Sequence, residues 1–167
     1  MFIPYQCDVS VEERVLEAFD WVERKHGGVQ VLLNNAGITR ETELVAPDNT
    51  TKIRQVIDTN VMGVLWCTRE AFQRMLKRND EGHVLIINSI AGQQVLNFIN
   101  VLPSFNIYPA TKFAITKIRV TVTFLGQEIH FYVKDMPRLE PENIADAVVY
   151  ALKTPPNVQV GSIPTQW

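Results

Sequence analysis

The sequence predicts an α/β fold, a doubly wound parallel sheet with helices on both faces, on three observations. Strand-like and helix-like periodicities alternate along the chain. Two strand candidates, residues 29–33 and 84–87, are runs apolar throughout but for Gln30, as expected when both sheet faces are covered. The small and polar residues Asp8, Asn34 to Gly37 and Ser89 fall at the carboxyl ends of strand candidates, where such sheets bind ligands. The chain has 167 residues, of which 46% are apolar and 20% charged, which suits a single domain over 1–167 with a sizeable core.

The elements follow in order. Residues 2–7 read as a strand. Ser10-Val11-Glu12-Glu13 has the form of a capping box and opens a helix with Val11, Val15, Ala18, Phe19 and Val22 on one face. Gly27-Gly28 ends that helix. After the strand 29–33, a long helix is expected over about 50–78. The strand 84–87 runs into Asn88-Ser89-Ile90-Ala91-Gly92. A helix around Tyr108 comes next, then a strand at 118–123. Pro141 occupies an early helical position, with Ile144, Val148, Ala151 and Leu152 at helical spacing up to Pro155-Pro156. A last short strand is expected at 158–160.

Charge and composition exclude several classes of function. A net charge of −2 and a pI near 5.9 give no basic footprint for nucleic acid or an anionic membrane surface. The apolar runs are too short for a membrane span, and Met1-Phe2-Ile3-Pro4-Tyr5 has no signal-peptide pattern. Cys7 and Cys67 both sit among apolar residues and read as buried thiols in a reducing compartment, so a cytoplasmic location is expected. Asn49-Thr50-Thr51 fits a glycosylation sequon but reads better as a helix start.

Tyr108-Pro109-Ala110-Thr111-Lys112 pairs a phenol with an ammonium four residues on, one turn apart on one helix face. An ammonium about 4 Å away at an effective dielectric of ~20 contributes about 4 kcal/mol. That would lower a phenol from its usual ~10 by roughly three units and suit it to exchange a proton with a carbonyl or alcohol. On spacing alone, an ordinary helix-surface Tyr and Lys explain the pair as well. Asn34-Asn35-Ala36-Gly37 suits a tight turn whose backbone a ligand can approach. Asn60 falls seven residues after Ile53, inside the apolar stripe Ile53, Val56, Ile57, Val61, Val64, Leu65, Phe72, Met75 and Leu76. A buried amide needs partners, so it is either a functional group or a structural one that fixes packing. Ser89 stands nineteen residues before Tyr108 at a strand end, placed either to donate to a developing oxyanion or to cap a turn.

Together, Cys7-Asp8-Val9, Asn34-Asn35-Ala36-Gly37, Asn60, Ser89 and Tyr108-x-x-x-Lys112 resemble the short-chain dehydrogenase/reductase family in order and spacing. Leu32-Leu33-Asn34-Asn35-Ala36-Gly37-Ile38 and Asp58-Thr59-Asn60-Val61-Met62-Gly63 look like its insect farnesol dehydrogenase-like, NADP-dependent subgroup. The resemblance implies a Rossmann-like sheet and hydride transfer between NADP, or NAD, and a small-molecule alcohol or carbonyl compound. It makes Tyr108 the acid/base, with Lys112 lowering its pKa and holding the nicotinamide ribose. Ser89 orients the substrate oxygen, and Asn60 holds a water linking Lys112 to solvent. Asp8 meets the adenine, Val9 belongs to the cofactor site, and Asn34, Asn35, Ala36 and Gly37 line the cofactor and brace the sheet.

The chain also departs from the family. None of its eight glycines, Gly27, Gly28, Gly37, Gly63, Gly82, Gly92, Gly126 and Gly161, forms a Gly-x-Gly, and none precedes Asp8. The resemblance therefore implies an incomplete sheet lacking the family's first two strands, with cofactor binding impaired by the missing glycine-rich loop. The strands ending at Asp8 and Asn34 should then pair directly or expose open edges. Lys117-Ile118-Arg119-Val120-Thr121 resembles the family's next strand arriving early, so the Tyr108 helix is shortened. Phe124-Leu125-Gly126 stands where a Pro-Gly is usual. In relatives that helix and the one bearing Asn60 commonly build the dimer, so the family-type homodimer is not expected here. Two functions remain: an oxidoreductase, or a catalytically inactive fragment or pseudoenzyme that acts as an interaction module.

Overall fold

A computed structural model describes residues 2–93, 107–118, 123–124, 127–128, 130–134 and 141–154. Helix α1 (Glu12–His26) precedes strand β1 (Val31–Asn34). Helix α2 (Thr50–Ile57) runs through a π-helical turn (Asp58–Met62) into α3 (Gly63–Arg78). Strand β2 (His83–Ile87) leads to a 3₁₀ turn (Ile90–Gly92), followed by α4 (Ile107–Lys117). The short strands β3 (Thr123–Phe124) and β4 (Gln127–Glu128) pair antiparallel before β5 (His130–Lys134) and α5 (Pro141–Leu152).

The main sheet has the order β1-β2-β5 and both of its pairings are parallel, which bears out the α/β expectation. Leu33 pairs with Leu85, and Leu85 with Tyr132. Helices cover both faces. On one, Val15 and Phe19 of α1 pack with Cys67, Ala71 and Met75 of α3 over Leu32, while Val64, Ile86 and Ile115 form a second cluster. On the other, Leu85 lies under Ala151, Val148 and Leu152 of α5. That cover stops at β2. Val31 and Leu33 of β1, on the Leu85 face, remain 43% and 41% exposed.

Alpha-helix α1 ends in left-handed backbone at Gly27 (φ 82°), and Gly28 follows at φ 123°. A side chain at Gly28 would also run into the Arg78 guanidinium. The positive φ is what favours glycine there, since the guanidinium is the far end of a flexible side chain and can give way. Across the α1–α3 contact, Arg74 bonds Asp20 at 2.6 Å, together with Glu23 and Glu70, and lies over the Phe19 ring. Burial alone would lower the pKa of Arg74. The bonds to Asp20, Glu23 and Glu70 outweigh it and raise the value instead.

Several expected elements differ. Residues 2–7 form no strand: they lie mostly exposed beside α1, with Tyr5 stacked on Trp21, and among the described residues no strand pairs with them. The direct pairing of that segment with β1 therefore does not form, and among the described residues β1 pairs with β2 alone. The capping box at Ser10 is also absent. Val11 is the N-cap residue, and the Ser10 amide and hydroxyl turn back to the Asp8 carboxylate instead. The long helix is interrupted by the π turn. Ile118 is not in a strand, residues 119–122 lie outside the described residues, and β5 takes the expected place beside β2. The strand expected at 158–160 and Pro155-Pro156 also lie outside the described residues.

Candidate active site

The parallel sheet brings the carboxyl ends of β1 and β2 to one side, against the first turns of α4 and the π turn. From β1, Asn34 is buried and donates through Nδ2 to Thr68 Oγ1 at 3.1 Å, which ties the strand end to α3. Asn35, Ala36 and Gly37 follow on the exposed surface.

The π turn carries Asn60, only 1% exposed. Widening the helix by one residue per turn rotates this amide off the regular stripe and toward the end of β1. Asn60 Oδ1 accepts from Ile38 N–H at 2.8 Å, and Nδ2 donates to Ile38 C=O at 2.9 Å and to Thr111 Oγ1 at 3.1 Å. Both amide hydrogens are committed, and Oδ1 keeps one lone pair.

On α4, Tyr108 is half-buried and Lys112 is 7% exposed. Lys112 Nζ lies 5.7 Å from the Tyr108 ring centroid and donates to Ile87 C=O at 3.4 Å. The spacing thus places the pair on one face, as the sequence predicts. A methyl group at Gly37 would stand 3.6 Å from both Lys112 Nζ and Asn60 Oδ1, so the β1 turn, the π turn and α4 meet at this point. At Gly92 the approach is closer: a methyl there would sit 2.5 Å from the Lys112 carbonyl oxygen, so glycine lets the turn after β2 lie against α4.

Ser89, at the end of β2, is the N-cap of the 3₁₀ turn and accepts from Ala91 N–H at 3.2 Å. Capping uses an oxygen lone pair and leaves its hydroxyl hydrogen to donate elsewhere. Asp8 is exposed. Its carboxylate accepts from the Ser10 hydroxyl at 2.7 Å and the Ser10 amide at 3.0 Å, and these bonds hold its pKa below the usual carboxylate range. Val9 lies against Gly63, where a Cβ would approach it to 3.0 Å.

The structure adds residues that sequence reasoning missed. Thr111 bonds both Asn60 and the Tyr108 carbonyl. Asn88 is buried and donates to Thr116 Oγ1 at 2.6 Å and to Lys112 C=O at 3.3 Å, and Thr116 donates toward Gly92 C=O. The only sequence sign of them was a run of polar types at strand-end and helix positions. Among the described residues no group of three or more His, Cys, Asp or Glu side chains could hold a metal ion. No described helix is long and apolar enough to cross a membrane.

The family model for short chain dehydrogenase matches residues 1–129. This chain belongs to the short-chain dehydrogenase family. It is similar to farnesol dehydrogenase of Aedes aegypti, with 43% identity over 93% of this chain and 70% of the relative. It is also similar to dehydrogenase/reductase SDR family member 11 of Homo sapiens, with 35% identity over 96% of this chain and 72% of that one. Among solved structures, serine dehydrogenase from Escherichia coli superposes with a TM-score of 0.80 at 23% identity, over 96% of this chain and 74% of that one. An alcohol dehydrogenase from Thermococcus sibiricus, solved with 5-hydroxy-NADP, superposes with a TM-score of 0.75 at 21% identity, over 96% of this chain and 72% of that one. Both superpositions match the Rossmann-type α/β fold, of which the described strands form a partial sheet.

Proposed function

We propose that this chain transfers hydride between NADP(H) and a small-molecule alcohol or carbonyl compound, with NAD(H) as the alternative cofactor. The observation that carries this reading is the buried Lys112, one turn from Tyr108 and gathered with Gly37 and Asn60 at the sheet's carboxyl end. The Lys112 ammonium on the same helix face as the phenol suits the pair to exchange a proton with a bound oxygen. The 5-hydroxy-NADP bound to the Thermococcus sibiricus enzyme, which shares this fold, supports the choice of NADP.

When bound, the cofactor supplies or accepts the hydride. In the reducing direction Tyr108 gives its phenolic proton to the substrate oxygen, and in the oxidising direction it takes that proton back. The hydroxyl hydrogen of Ser89, free of the capping bond, donates to the same oxygen and holds it in place. Lys112 balances the charge left on the phenol and holds the nicotinamide ribose. Asn60 Oδ1 and Lys112 Nζ both lie near Gly37, so the remaining lone pair of Oδ1 holds a water that links Lys112 to solvent. Asn35, Ala36 and Gly37 are exposed where they line the cofactor, and Asp8 and Val9 meet its adenine end.

These residues fit the nicotinamide and ribose portion of the cofactor. The free thiols Cys7 and Cys67 accord with a cytoplasmic location. One observation favours a second reading, a non-catalytic interaction module: the exposed apolar side chains of Val31 and Leu33 at the edge of the described sheet.

Calorimetric titration of NADPH and NADH into the purified chain separates the two. Binding of NADPH that persists in Tyr108→Phe is expected. Heat-silent titrations up to about millimolar cofactor would sink the oxidoreductase reading for this chain and leave the interaction module.

A further inference from the structure

We infer that Thr111 is a positioning residue for the Tyr108–Lys112 pair, an inference that rests on the hydride-transfer reading above. Thr111 is 3% exposed and makes two bonds, one within α4 and one to the π turn. Its hydroxyl donates to the Tyr108 carbonyl at 2.7 Å, and its oxygen accepts from Asn60 Nδ2 at 3.1 Å. The chain of bonds therefore runs from the Ile38 backbone through the Asn60 amide and the Thr111 hydroxyl to the backbone of Tyr108.

Bond directions in this chain are consistent. Each Asn60 amide hydrogen has an acceptor, the single Thr111 hydrogen has another, and no donor is left over. A threonine in a helix has access to the rotamer that bonds the carbonyl three or four residues back. Most such threonines simply satisfy their own hydroxyl within the helix. Thr111 does more, because its oxygen also receives the amide of a residue 51 positions away in the chain. That contact joins α4 to the π turn, and Asn60 carries it on to Ile38 after β1.

The test compares Thr111→Val, which keeps the shape and deletes the hydroxyl, with Thr111→Ser, which keeps the hydroxyl. Three quantities are read: kcat, KM for NADPH, and the hydrogen-exchange rate of the Ile38 amide, which Asn60 holds. Thr111→Val should lower kcat about tenfold with KM changed less than about twofold, since a small misplacement of the acid costs rate rather than binding. Ile38 exchange should accelerate by about tenfold, and Thr111→Ser should restore both values. If Thr111→Val does not fold, Thr111→Ala is read against Thr111→Ser in the same way. Wild-type kcat together with unchanged Ile38 exchange would overturn the inference. If the unmodified chain turns over no carbonyl compound, the hydride-transfer reading fails. Ile38 exchange then decides alone: faster exchange in Thr111→Val supports Thr111 as the tie on this site, and unchanged exchange overturns it.

Discussion

Asn60 shows what single residues reveal. A polar amide at the spacing of an apolar helix stripe stands out in the sequence, and the structure buries it with three hydrogen bonds. Thr111, Asn88 and Thr116 were not legible in the same way. Each is an ordinary helix or strand-end residue until folding brings its partner from a distant stretch, and hydrogen-bond partners of that kind leave no periodic trace. Ser89 was legible as a polar residue at a strand end, and its capping bond to Ala91 appears only in the folded backbone. The cysteines yield a prediction at this scale. Burial, and to a smaller extent the neighbouring Cys7, push the Cys67 thiol up to about 11. Alkylation with iodoacetamide at pH 8 should therefore modify Cys7 before Cys67, and Cys67 only after unfolding. Because the folded state holds that proton beyond the usual thiol range, its contribution to stability is complete below the unfolded value near ~8.5 and falls as pH rises above it. Mass mapping of native and urea-unfolded samples checks the first statement, and urea melts across alkaline pH check the second.

At the scale of elements, periodicity located α1, the α2–α3 helix, β1, β2 and α5 to within a few residues. The expectation failed where an element depends on a neighbour. Residues 2–7 have a strand-like composition but no strand beside them among the described residues, and β5 was overlooked because the run at 118–123 looked like the next strand. The π turn was hidden because one added residue barely disturbs a stripe that is apolar on both sides of Asn60. The α1–α3 contact rests on Arg74, whose side chain is 18% exposed. Replacing it with alanine leaves Asp20, Glu23 and Glu70 facing one another and should destabilise the fold by about 1–2 kcal/mol, seen as a lower urea midpoint. Gly92→Ala places a methyl against the Lys112 carbonyl and must displace α4 or the turn. It should lower both the melting temperature and the turnover, which thermal unfolding and NADPH consumption would show together.

At the scale of the whole molecule, the doubly wound architecture and the family were legible because motif order survives in the primary sequence. The extent of cover on the sheet was not, since it depends on which helix reaches which strand. Alpha-helix α5 reaches Leu85 but leaves Val31 and Leu33 exposed. An exposed apolar edge strand promotes association, so Val31→Lys should reduce concentration-dependent light scattering while leaving the melting temperature within a few degrees. Tyr108, Lys112, Ser89 and Asn60 are proposed to form a working proton-exchange site in this chain. The most direct test is the consumption of NADPH with a panel of small aldehydes and ketones, followed by the loss of near-ultraviolet absorbance, for the chain and for its Tyr108→Phe variant. Consumption by the chain that falls at least about a hundredfold in Tyr108→Phe is the predicted result. Equal consumption by both proteins, or none by either, would contradict it.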